Sequence, residues 1–161
     1  IGLHSSYQAG KEPALILSEK KKMEEVFEMK IIHNRNHFLA SREPEDMEFL
    51  VIAGITEDYT MGYADVAGFR LGTSLPVRYI NPVTRRLSDL RLYPLTIMDS
   101  TLNEVKYMNL MYDRAEEYCM RLINNIRSVN GELTLLWHNT SAIERSGYLR
   151  QLYSKLINRL G

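Results

Sequence analysis

The sequence predicts an α/β fold, a partial (β/α) barrel formed by a single domain over residues 1–161. Three observations predict it. Short apolar runs and helical stripes alternate about four times along the chain, the pattern of a parallel sheet flanked by helices. Polar residues cluster directly after the apolar runs, at the carboxyl ends of the predicted strands, where such folds build their sites. A chain of 161 residues supports one real core but falls short of the roughly 250 residues of a closed eight-stranded barrel.

The elements follow in order. Ile1-Gly2-Leu3 leads into His4 as a short buried strand, and Ser5-Ser6-Tyr7-Gln8 opens a turn. A strand at the first residue, without an initiator Met, is expected of a fragment whose earlier part is missing. Pro13 sits where a helix begins, since its missing N–H costs nothing in the first turn. Leu15, Ile16, Met23, Val26 and Phe27 then recur at helical spacing as the inward face, with Glu19 to Lys22 on the wet face. Residues 29–34 read as a strand centred on Ile31-Ile32 that delivers His33-Asn34-Arg35-Asn36-His37.

Pro44 opens a second helix, with Met47, Leu50 and Val51 on one stripe and Gly54 as its stop. Residues 55–59 read as a third strand. From Thr60 to Tyr93 the chain reads as irregular, carrying Gly62, Gly68, Gly72, Pro76 and Pro82. A connection of that length is functional or holds short strands of its own. Residues 94–99 read as a fourth strand. Thr101-Leu102-Asn103-Glu104 fits a capping box opening the longest helical tract, from Met108, Met111 and Tyr112 through Ala115, Tyr118, Cys119, Leu122 and Ile126. Asn109 marks a break within the tract, and Asn130-Gly131 ends it. Residues 133–137 form the strongest strand, ending at His138-Asn139. A last helix turns Leu149, Leu152, Tyr153, Leu156 and Leu160 inward.

Twenty basic and twenty acidic residues cancel to a formal net charge of zero. That argues against nucleic acid as a partner, because phosphate backbones select clustered positive charge. No run of about 18 apolar residues is present, so no membrane span is expected. Cys119 is the single cysteine and makes no internal disulfide.

All four histidines, His4, His33, His37 and His138, stand at or just after predicted strands. Arg35, Asp58, Arg70 and Asp99 accompany them. Parallel neighbouring strands would bring several of these to one rim. Imidazole with carboxylate and guanidinium suits metal-assisted hydrolysis, in which histidine ligates or carries a proton, carboxylate orients it and arginine steadies an anion. The plainer alternative is a set of solvated or capping histidines, with Arg35 and Arg70 as ion-pair partners of Asp58 and Asp99. Recurrence at consecutive strand ends favours a site. A glycosidase-like use of Asp58 and Asp99 as a carboxylate pair is a third option.

The motifs Ile-Gly-Leu-His-Ser-Ser-Tyr, Asn-Arg-Asn-His-Phe-Leu, Glu-Asp-Tyr-Thr-Met-Gly-Tyr, Gly-Phe-Arg-Leu-Gly-Thr, Pro-Leu-Thr-Ile-Met-Asp and Leu-Trp-His-Asn-Thr come in turn. Together they resemble the carboxyl-terminal part of a divergent bacterial branch of the polysaccharide deacetylase (NodB-homology) family, from Ile1 to about Tyr153. The resemblance implies a barrel of the glycoside hydrolase/deacetylase type lacking its N-terminal strands. It implies metal-dependent removal of acetyl groups from a cell-surface or exported polysaccharide or oligosaccharide, with a divalent metal, zinc or similar, in the full-length protein. Carried over by residue, His4 matches the first metal-ligand histidine, Arg35 the arginine that steadies a catalytic aspartate, and His138 the late general acid. On that basis His138, Arg35 and Asp99 are the catalytic candidates, His4 the metal ligand, and His37, Asp58, Tyr59, Arg70 and Asn139 the substrate-binding residues.

The chain departs from the family pattern at three points. Gln8 stands four after His4 where a second ligand histidine is usual, Asn139 follows His138 in place of aspartate, and no Asp-Asp pair occurs. The last departure removes the family's base, so activity is not expected of these residues alone. Gln8 and Asn139 favour the alternative, a non-catalytic carbohydrate-binding or interaction module on the same barrel. The cytoplasm is the favoured location, with cell-envelope association as the other option, and homo-oligomers through an exposed sheet edge are expected.

Overall fold

Short parallel ladders organise both halves of the chain in the computed structural model, which describes residues 1–143 and 147–160. The chain divides into two units, Ile1–Met61 with Leu75–Pro94, and Gly62–Ser74 with Leu95–Gly161.

The first unit contains α1 (Leu15–Phe27), β1 (His33–Asn34), a 3-10 turn (His37–Leu39), α2 (Glu45–Ile52), β2 (Glu57–Asp58), β3 (Val77–Ile80) and β4 (Leu87–Leu92). Its sheet runs in the order β1-β2-β4-β3. β1 and β2 pair in parallel, His33 opposite Glu57 and Asn34 opposite Asp58. β2 and β4 continue the ladder, Asp58 opposite Leu92. The expected opening strand is one parallel bridge, Leu3 to Asn34, made by Leu3 N–H to the His33 carbonyl (2.8 Å) and Arg35 N–H to the Leu3 carbonyl (2.9 Å). His4, Arg35, Tyr59 and Tyr93 therefore all follow the carboxyl ends of parallel segments.

The stretch read as irregular holds an antiparallel hairpin, β3 with β4. Period-two alternation builds it: Leu90 and Leu92 are buried while Asp89 and Arg91 face water. No glycine marks its turn, because the Asn81 side chain does that work, its Oδ1 accepting from the N–H groups of Val83 and Thr84 at 2.8 Å each. α1 also differs from its expected stripe. Val26 and Phe27 are exposed, while Ile16 and Lys20 are buried. Lys20 keeps its charge matched by Glu24 at 2.6 Å, whose Oε1 also accepts the Ile31 N–H at 2.9 Å. Those donors, the Lys20 ammonium first, hold the Glu24 carboxyl below the ordinary range. Gly54 ends α2 as expected, in the left-handed region at φ 71, with the Ile55 N–H returning to the Leu50 carbonyl at 3.0 Å.

The second unit contains β5 (Ile97–Met98), α3 (Asp99–Asn103), α4 (Tyr112–Ser128), β6 (Leu135–Leu136), α5 (Asn139–Ile143) and α6 (Leu149–Leu160). β5 and β6 pair in parallel, Ile97 opposite Leu135. Ala115, Cys119, Leu122 and Ile123 of α4 bury against Ile97, Leu102, Leu152 and Leu156. This burial pushes the Cys119 thiol up to about 12, leaving it a small apolar side chain. Lys155 and Glu116 link α6 to α4 at 2.6 Å. The predicted capping box is absent: the helix begins at Asp99, and the Thr101 hydroxyl donates to the Ala64 carbonyl at 2.8 Å. α3 stops at Asn103, and Asn109 takes φ 46 before α4 begins. Met111, read as part of the helical tract, therefore lies just before α4 and is exposed. No described helix is long and apolar enough to cross a membrane.

Gly54→Ala is expected to destabilise the protein by roughly 1–2 kcal/mol, the cost of a Cβ in the left-handed region. Urea unfolding of the variant beside the parent checks this.

Candidate functional site

In the first unit the register of β1 on β2 sorts the strand-end residues onto two sides. His33 and Glu57 share one side, their Nε2 and Oε2 atoms 3.1 Å apart. Asn34 and Asp58 share the other, and both are buried. Asp58 Oδ1 accepts from Asn34 Nδ2 (2.8 Å) and the Thr60 hydroxyl (2.7 Å), and its Oδ2 accepts the Thr60 N–H (3.0 Å). Asn34 Nδ2 also donates to Asn36 Oδ1 at 2.9 Å, and the Asn36 N–H donates to Thr60 Oγ1 at 2.9 Å. Asn36 in turn holds the Ala40 carbonyl through its Nδ2 at 2.9 Å. The chain leaving β1 is thereby tied at both ends.

Arg35, between the two asparagines, points away from them. Its Nε donates to the Tyr59 carbonyl at 3.1 Å and its guanidinium lies over the Tyr59 ring, 5.9 Å from the centroid. Tyr59 stacks on Tyr93 at 4.6 Å and donates its hydroxyl to Glu57 Oε2 at 2.8 Å. Burial holds the Arg35 pKa below its ordinary value, and the Asp58 charge opposes that shift. Burial likewise raises Asp58, against the bonds from Asn34 and Thr60 and the charge of Arg35.

His4 and His37 meet at the edge of this framework. The His4 Nδ1–H donates to the Arg35 carbonyl at 2.8 Å, and His37 Nδ1 lies 3.0 Å from His4 Nε2. Gln8 is engaged elsewhere, its Nε2 donating to Glu12 Oε1 at 2.5 Å. Tyr7 and Phe38 stand exposed beside the pair, edge to face at 5.5 Å. Among the described residues, no three His, Cys, Asp or Glu side chains assemble as a metal-ligand set.

In the second unit Asp99 follows β5 and His138 follows β6, so parallel pairing of those strands sets them side by side. The Asp99 carboxylate accepts the His138 ring Nδ1–H at 2.7 Å and the His138 backbone N–H at 2.9 Å. Asp99 has no exposed surface, whereas the His138 side chain is 51 % exposed. Arg70 donates to the Gly62 carbonyl at 3.1 Å and reaches over the Tyr63 ring. Asn139 Oδ1 accepts the Thr140 N–H at 2.9 Å.

The structure thus groups His4, Arg35, His37, Asp58 and Tyr59 in one unit, and Asp99 with His138 in the other. Asp58, expected to bind substrate, is fully buried and works on its neighbours Asn34 and Thr60 instead. Asp58 and Asp99 are both buried and engaged by protein donors, which removes the surface a glycosidase-like pair needs. Asn34, Asn36 and Thr60 had no place among the sequence candidates. Their signal was the pair of asparagines flanking Arg35, since extended backbone puts residues two apart on one side. Comparison of the chain with models of known protein families, with curated proteins and with solved structures found no match in any of the three.

Because the folded state holds the Asp58 proton more tightly than the unfolded chain does, its contribution is full below the unfolded value, about 4. It is lost as pH rises through the raised folded value. The stability of the parent relative to Asp58→Asn is therefore expected to fall as pH rises from about 4. Denaturant midpoints of both proteins across pH check the sign.

Proposed function

We propose that the chain is the carboxyl-terminal portion of a polysaccharide-deacetylase-like hydrolase, acting on acetyl groups of a cell-surface or exported polysaccharide. The observation that carries this is the Asp99–His138 pair. Two hydrogen bonds to one buried carboxylate, at 2.7 and 2.9 Å, hold the ring in the Nδ1–H tautomer, with Nε2 as the nitrogen that meets solute. Half-exposed and oriented in this way, His138 can take up a proton at Nε2 and, as an imidazolium steadied by the Asp99 carboxylate, pass it to a departing amine or alkoxide. Asp99 acts through His138 as a positioning residue and keeps its own carboxylate out of water.

A divalent cation at His4 would supply Lewis-acid polarisation of an acetyl carbonyl. His4 itself is oriented for such a role by the Arg35 carbonyl, a backbone acceptor that leaves Nε2 with its lone pair. Arg35 is oriented by Tyr59, whose carbonyl accepts from its Nε and whose ring lies under its guanidinium. The base that the resemblance assigns to an Asp-Asp pair is not among these residues, and the proposed activity takes it from a longer polypeptide.

One observation favours a second reading, a carbohydrate-binding module. Tyr7 and Phe38 are 58 % and 73 % exposed, an aromatic surface on which a sugar ring can lie. That reading expects saturable oligosaccharide binding, weakened in Phe38→Ala, with no acetate released.

For the hydrolase, the full-length protein is expected to release acetate from an acetylated oligosaccharide. His138→Gln is expected to lower kcat by about 10²–10⁴-fold, the usual worth of a general acid, with KM little changed. Asp99→Asn is expected to lower kcat and shift its pH profile. Acetate release undiminished in His138→Gln removes the assignment.

A further inference from the structure

We infer that the tip of the β3–β4 hairpin docks the protein on an anionic lipid surface, through the apolar side chains of Ile80, Val83 and Leu87 and the guanidinium groups of Arg85 and Arg86. The surface lies wholly in the first unit, and the inference stands independently of the hydrolase reading. Three observations carry it.

The first is where the apolar side chains stand. Ile80 and Leu87 are opposite each other across the hairpin, on the side turned away from buried Tyr79 and Leu90, and both are more than half exposed. Val83 in the turn is 75 % exposed, and the chain from Pro82 to Leu87 is exposed without interruption. Single exposed aliphatic residues are ordinary on a protein surface. Here register and turn gather three of them at one end of one hairpin. The second observation is charge. From Arg78 to Arg91 the hairpin holds four arginines and one acid, Asp89, on a chain of zero net charge. Arg78 takes that acid at 2.9 Å. Among the described residues Arg85, Arg86 and Arg91 have no ion-pair partner. Guanidinium groups beside aliphatic side chains match lipid phosphate lying above hydrocarbon, the pattern of a segment that rests in a membrane interface.

The third is the backbone of the turn. A tip that enters the headgroup layer takes its amides away from water, and each unpaired one opposes entry. From Asn81 to Arg85 none is unpaired. The Asn81 N–H donates to the Arg86 carbonyl at 3.0 Å and the Arg85 N–H to the Asn81 carbonyl at 2.8 Å. Pro82 has no N–H, and those of Val83 and Thr84 both donate to Asn81 Oδ1. Asn81 is itself held, its Nδ2 donating to Glu48 Oε1 at 2.6 Å, so the tip is fixed before it meets a surface. The same closure disfavours nucleic acid, whose phosphates commonly accept from free backbone N–H groups.

Cosedimentation of the protein with vesicles tests this, using phosphatidylcholine alone and an equal mixture of phosphatidylcholine and phosphatidylglycerol. Binding is expected to the mixed vesicles only, and to weaken as salt is raised. Arg85→Gln and Arg86→Gln are each expected to weaken it about fivefold, and Val83→Asp to weaken it further, with circular dichroism confirming that each variant folds. For insertion, an environment-sensitive fluorophore is placed at Val83→Cys. Cys119, buried and with its thiol pushed up to about 12, stays unlabelled. The Val83 label is expected to shift its emission to the blue on mixed vesicles, while a label at Lys21→Cys on α1 keeps the emission it has in water. No binding to mixed vesicles, or binding that survives loss of both arginines, overturns the inference. A double-stranded DNA oligonucleotide bound in place of vesicles overturns the lipid assignment. A dimer in sedimentation velocity that Val83→Asp dissociates makes a second copy the occupant and overturns it equally.

Discussion

The first unit depends on one buried carboxylate. Asp58 sits opposite Asn34 in a parallel register only two residues long, too short for its backbone bonds alone to specify the pairing. What specifies it is the cost of an unpaired charge away from water, which requires donors at fixed places. Asn34 and Thr60 provide them. A slip of one residue would bring His33 or Arg35 to the buried side and leave Asp58 without Asn34. From that hub the bonds run outward through Asn36 to the backbone at Ala40, and so to the chain that carries His37.

The second unit repeats the device with the charge aimed outward. Asp99 is as buried as Asp58, but two of its donors belong to His138, a residue on the neighbouring segment. The carboxylate here fixes the tautomer of an exposed ring rather than stitching strands together. In both units a short parallel ladder is made specific by a carboxylate at its carboxyl end, and the exposed histidines are positioned by what lies just beneath them. This economy explains why so few residues in each strand suffice.

Helix positions were legible because they rest on local periodicity. Ala115, Cys119, Leu122 and Ile126 recur at helical spacing and are buried, and Gly54 stops α2 in the conformation that only glycine adopts easily. Where a helix face is decided by its neighbours, legibility failed. Lys20 is inside because Glu24, itself held by the Ile31 N–H, offers the ammonium a partner, which no window of sequence displays. The β3–β4 hairpin escaped notice because Asn81, a polar side chain, performs the turn usually announced by glycine.

The sequence by itself determined the kinds of residue at the strand ends: imidazole, guanidinium and carboxylate delivered after each apolar run, on a chain of zero net charge. Those follow from local pattern, in which chemistry and periodicity are written in consecutive residues. Only the tertiary structure decided the partnerships. His4 meets His37 across 33 positions, and Asp99 meets His138 across 39. Asp58 meets Asn34 across 24 positions. Such separations are closed by strand pairing and burial, whose energies depend on what lies alongside in space, so a linear reading names the groups without saying which of them touch.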